Sequence, residues 1–174
     1  MLLEKARAYA RQEGVELELI EANMLHFVRE NAFDLIISMF SSFGYFDDVE
    51  EDLNVLVNAY RSLKRGGKIV LDVRGKEVHA MANVSSFSQQ MANGDLIVHR
   101  TEVDDGWRRT LSEWVHIRGH YAQKFQMSFN LYSAVELTSL LEQAGFSSVR
   151  VYGDLHASPY NQQAKRLVVL AEKN

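Results

Sequence analysis

Residues able to do chemistry stand in three places along the chain. His156 and Tyr160 share the loop "GDLHASPYN" (153–161). Histidine is the natural general base near neutral pH, so His156 and Tyr160 are the catalytic candidates; the alternative for His156 is a solvated loop residue. Asp72 and Arg74 close the apolar run "KIVLDVR". They could orient a substrate amine or hydroxyl, or pair with each other. The stretch "FDLIISMFSSFGYF" (33–46) passes from an apolar strand into a loop with four aromatic rings around Gly44. Open α/β sheets bind ligands at the carboxyl ends of their strands. Met39, Phe40, Ser41, Gly44 and Tyr45 are therefore candidate ligand contacts, with core packing the competing expectation for Phe40. Glycine there permits positive φ or close backbone approach, and the rings exclude water and attract cations.

Other chemistries find no support. The chain has no cysteine, which removes disulfides, thiolate nucleophiles and Cys-ligated metals and suits a cytoplasmic location. His26, His79, His99, His116 and His120 lack metal-ligand spacing with nearby acids. No G-x-S-x-G, paired-carboxylate or P-loop pattern occurs. Net charge is −4 with scattered basic residues, so no electrostatic footprint for nucleic acid exists. No apolar run approaches the roughly 20 residues of a membrane helix, and "MLLEKARAYARQ" lacks the apolar core of a signal peptide.

The elements that must position these residues fit one domain of 174 residues. "LLEKARAYARQEG" predicts an amphipathic helix without an N-cap, ended by Gly14. "VELELIEAN" predicts a short strand. "FDLIIS" is apolar enough for a strand covered on both faces, as in a parallel sheet. Asp47 or Asp48 caps a helix that runs to the Gly66-Gly67 stop. "KIVLDV" is the next buried strand, and the unit is a right-handed crossover. Residues about 76–130 read as an antiparallel insertion with a turn at Asp104-Asp105-Gly106, a lid or side sheet bearing Trp107, Trp114 and Tyr121. These three shape a pocket or pack. Ser133 and Glu136 form a capping box for a helix ended by Gly145. "SSVRVYGD" and "KRLVVLAEK" close the chain as an antiparallel pair.

Four strings in this order resemble the small-molecule branch of class I S-adenosylmethionine-dependent methyltransferases: "IEANM", "FDLIISMFSSFGYF", "LKRGGKIVLDV" and "LLEQAGFSSVRVYGD". The resemblance implies an α/β, Rossmann-like sheet with an antiparallel insertion. It implies methyl transfer to nitrogen or oxygen of a small molecule, and it places Asn23, Met24 and Leu25 beside the adenine of S-adenosylmethionine. Asn23 fits a strand-end turn equally well.

The family's leading strand, G-x-G-x-G turn, helix and acid-ended strand find no counterpart here. The expectation is thus an N-terminally truncated sheet with weak or no S-adenosylmethionine binding. The alternative is a degenerate module that acts as an interaction or structural protein. The absent strands would lie between "LELIEA" and "FDLIIS". Three repairs are open for the exposed edge: direct pairing of those two segments, a homodimer, or a separately supplied N-terminal segment.

Overall fold

A computed structural model describes residues 2–82, 86–104 and 106–174. The chain opens with helix α1 (Leu2–Gln12). Strand β1 (Phe33–Ser38), helix α2 (Val49–Ser62) and strand β2 (Leu63–Val73) form the crossover unit, with β1 and β2 parallel. A short helix α3 (Lys76–Met81) leads into an antiparallel meander of β3 (Ser86–Gln90), β4 (Leu96–Val103), β5 (Arg109–Arg118) and β6 (Tyr121–Asn130). Helix α4 (Ala134–Gln143) and strands β7 (Ser147–Tyr152) and β8 (Leu167–Glu172) complete the fold.

The main sheet has the order β1-β2-β8-β7. The antiparallel β7–β8 pair forms as expected, with β8 inserted beside β2. Helices α2 and α4 cover one face. Leu56, Leu137, Leu140 and Leu141 pack there on Ile69, Leu71, Leu167 and Val169 in one cluster. The caps agree with the sequence reading at both helices. Asp48 Oδ1 accepts from the Glu50 amide at 3.0 Å, and Ser133 and Glu136 make the full capping box.

Four expectations change. Residues 15–23 form no strand, because no neighbouring strand offers them a hydrogen-bonding ladder. Direct pairing with β1 is therefore not the repair adopted. Strand β1 is covered on one face and not both: Leu35 is 55% and Ile37 61% exposed, and β1 is an edge. Helix α1 forms, but its apolar side, Leu3, Ala6 and Ala10, is only partly buried. Helix α2 stops at Ser62, and Leu63 to Gly67 begin β2 across a register irregularity instead of extending the helix. The expected 104–106 turn includes Asp105, which lies outside the described residues; the flanking strands end at Val103 and begin at Arg109.

The insertion is bolted to the main sheet at its root. Gly44 adopts φ +96°, and a Cβ there would sit 2.8 Å from the Asn130 carbonyl oxygen. This close approach lets the Asn130 amide donate to the Gly44 carbonyl at 2.6 Å. Arg109 Nη1 reaches the carbonyls of Phe46 (3.1 Å) and Asp47 (3.2 Å). Asp52, fully buried on α2, accepts from Asn130 Nδ2 (2.7 Å) and the Tyr132 hydroxyl (2.6 Å). Burial raises the Asp52 pKa, and the two donors oppose that rise.

Candidate ligand site at the sheet edge

An open cavity of about 890 Å³ runs along the free edge of β1. Its walls are the irregular segment from Glu18 to Arg29, the strand itself, and Val55, Asn58 and Ala59 of α2. Asn58 Nδ2 ties the segment down by donating to the carbonyls of Met24 (3.1 Å) and Leu25 (2.9 Å). At the carboxyl end of β1 the cavity meets Met39, Phe40 and Ser42. Most of the lining is apolar. Ser38 Oγ, also on the lining, is buried without a hydrogen-bond partner in the protein. A polar atom on a bound molecule would satisfy it.

The loop after β1 is held in a strained shape by one buried carboxylate. Phe40 and Ser41 have φ of +57° and +61°, a left-handed conformation that costs non-glycine residues about 1–2 kcal/mol each. Asp72, 2% exposed at the end of β2, compensates. Its Oδ2 accepts from the Phe40 amide (3.0 Å) and its backbone oxygen from the Ser41 amide (2.9 Å). Its Oδ1 accepts from Arg166 Nε at 2.6 Å, and Arg166 Nη2 also donates to Ser41 Oγ at 3.2 Å. The expected Asp72–Arg74 pair does not form; Arg166 takes the carboxylate. Pairing of Asp72 with Val168 across the sheet brings Arg166 to this edge. Arg166 carries no local sequence signal beyond preceding an apolar strand, so sequence reasoning passed over it.

The predicted contacts separate into groups. Met24, Met39 and Phe40 line the cavity together. Phe40 is 83% exposed, not core, because its left-handed backbone turns the ring outward. Asn23 is a turn residue whose Oδ1 accepts from the Leu25 amide at 2.9 Å. Ser41 belongs to the Asp72–Arg166 network. Gly44 and Tyr45 face the insertion: Gly44 meets Asn130, and the Tyr45 ring lies edge-on to Phe129 at 5.8 Å.

The Tyr160 hydroxyl donates to Glu77 at 2.9 Å beside Gly75, and burial raises its pKa above the ordinary tyrosine value. The His156 side chain is exposed and makes no hydrogen bond among the described residues; only its amide is engaged, by Asp154 at 2.8 Å. Trp114 stacks on His99 at 3.9 Å, whereas Trp107 and Tyr121 are 41% and 84% exposed. Among the described residues no group of three or more His, Cys, Asp or Glu could hold a metal.

The model of a methyltransferase domain family matches residues 1–67. A solved S-adenosylmethionine-dependent methyltransferase from Clostridium acetobutylicum superposes with a TM-score of 0.82 at 16% identity, covering 99% of this chain and 71% of that one. The fold is that of an S-adenosylmethionine-dependent methyltransferase. The CcbJ methyltransferase of Streptomyces caelestis matches this methyltransferase fold with a TM-score of 0.80 at 15% identity, over 99% of this chain and 69% of its own. An amino pentose methyltransferase from Micromonospora echinaspora, solved with S-adenosylmethionine bound, matches at 0.66 and 18% identity, over 100% of this chain and 71% of its own. No curated protein matches the sequence.

Proposed function

We propose that the chain carries the base-binding and acceptor-binding walls of an enzyme that moves a methyl group from S-adenosylmethionine to nitrogen or oxygen of a small molecule. The observation that carries this reading is the meeting of Met24, Met39 and Phe40 on one cavity at the carboxyl end of β1. The residues present fit the adenine base there. They do not fit the ribose: the carboxylate on the lining, Glu18, is engaged by Arg29 with Nη1 at 2.6 Å, and no G-x-G-x-G turn occurs in the sequence.

The protein's own contribution is alignment of the acceptor and exclusion of water. Tyr160, its pKa raised, keeps its proton, donated to Glu77, and leaves its oxygen lone pairs free to accept from the acceptor group; His156 is the candidate base on the loop beside it. A nitrogen acceptor accords with the amino pentose methyltransferase among the structural matches.

Calorimetry of the polypeptide with S-adenosylmethionine tests the cofactor side. The expected constant is near the millimolar range, about −4 kcal/mol. A micromolar constant would contradict the ribose argument. No resonance change at Met24, Met39 or Phe40 under millimolar cofactor would remove the reading. The exposed apolar edge of β1 would then favour the second reading, a non-catalytic module of this fold that binds another polypeptide.

A further inference from the structure

The free edge of β1 lacks the guards usual on exposed strands. Phe33 to Ser38 hold no lysine and no proline, and the single charge, Asp34, stands near one end. The register irregularity lies in β2, which sets Leu63 and Lys68 against Phe33 and Leu35. Side chains of β1 therefore alternate without interruption. Leu35 and Ile37 point to the bare face and are exposed. Ile36 points to the other face, where it packs on the core between Asp34 and Ser38. The cavity beside the edge is lined from both faces, by Leu35 and Ile37 and by Ile36, Val55 and Leu71. Its far wall is fastened to α2 through Asn58 and gives β1 no backbone hydrogen bond among the described residues.

A strand added to this edge must be apolar on both faces at its centre. Segment 15–23 does not qualify, because Glu16, Glu18 and Glu21 interrupt it. Among the edge strands β1, β3, β6 and β7, only β1 itself has such a centre.

We propose that the occupant is a second copy of this chain, its β1 antiparallel to the first about a twofold axis at Ile36. In that register Leu35 faces Ile37 of the second copy, Ile36 faces its own counterpart, and Ser38 faces Asp34. Apolar meets apolar and polar meets polar at every position, as an isologous contact requires. The Ser38 hydroxyl, buried without a partner in one chain, gains the opposing Asp34 carboxylate as acceptor. A shift of one residue sets Ser38 against Phe33 or Leu35 instead. The carboxylates at the contact carry their own cations: Asp34 is held by Lys64 at 2.8 Å and Glu18 by Arg29 at 2.6 Å. The remaining repulsion between two chains of net charge −4 is screened at physiological salt. The ladder spans 34–38, ends before Met39 and Phe40, and does not rest on the methyltransferase reading.

The test combines mass with cross-linking. Sedimentation equilibrium of the unmodified chain should approach twice 19.9 kDa as concentration rises. The chain has no cysteine, so single introduced thiols report the register. Leu35→Cys and Ile37→Cys alter exposed positions and leave the core intact. Under a mild oxidant, an equimolar mixture of the two variants should form disulfide-linked dimer several-fold faster than either variant alone. Opposite residues lie about 4.5–5.5 Å apart, within disulfide reach, and diagonal ones about 7–8 Å apart, beyond it. A monomer mass at millimolar chain, or a dimer in which the mixture has no advantage, overturns the pairing. A dimer with this register but no cofactor response at Met24, Met39 or Phe40 leaves the pairing standing and removes the enzyme reading.

Discussion

His79 sits half-buried on α3 with Arg74 and Arg166 for neighbours. Burial first, and then those two positive charges, lower its pKa from 6.5 to about 4. The folded state therefore resists protonating it, and the unfolded chain does not. Its contribution to stability is intact above pH 6.5 and is lost as the pH falls from 6.5 to 4. Allowing for screening by partial exposure, the loss is about 2 kcal/mol. Denaturant titrations at pH 7 and pH 4 should show the wild type losing about that much more than His79→Gln. Equal losses would mean that the imidazole is well solvated. The same neighbourhood explains why Asp72, a strand-end residue in the sequence, became a structural anchor. Its partner lies 94 positions away, on the far side of the antiparallel insertion.

At the scale of elements, the antiparallel insertion depends on a contact between the end of β6 and the loop after β1. The Gly44 carbonyl accepts the Asn130 amide, where β6 ends, and the space that allows this is the absent Cβ. Gly44→Ala combines a φ of +96° with a 2.8 Å clash against backbone. The expected destabilisation is about 2–4 kcal/mol, read as a lower denaturation midpoint. Hydrogen exchange at the Asn130 amide should accelerate more than at the centre of β2. If exchange rises uniformly, the glycine supports the whole fold and not the root of the insertion. Buried Asp52 adds to this root through Asn130 and Tyr132. Its location on α2, among residues at helical spacing for the core, is a polar exception that periodicity does not reveal.

For the whole molecule, the free edge and bare face of β1 dominate behaviour. Leu35 and Ile37 are exposed on one face of a strand with one hydrogen-bonding side unpaired, and Phe40 is exposed in the loop that follows it. Such an edge is a template for further pairing. Ile37→Lys should leave unfolding free energy within about 0.5 kcal/mol while raising the concentration at which light scattering first departs from the 19.9 kDa monomer mass. An unchanged onset would show that association proceeds elsewhere. No helix among the described residues is long and apolar enough to cross a membrane.

Local patterns determined much of this molecule. Helix α4, with its Ser133–Glu136 box and Gly145 stop, follows from neighbours in sequence; so do the crossover unit and the alternating strands of the insertion. Each of these depends on interactions within a few residues or on a strand's own two faces. Tertiary structure decided the rest. Whether 15–23 becomes a strand depends on a neighbour to supply its hydrogen bonds. Which cation meets Asp72 depends on how β8 inserts beside β2. Charge pairing is set by distance in space, and no periodicity along the chain encodes it.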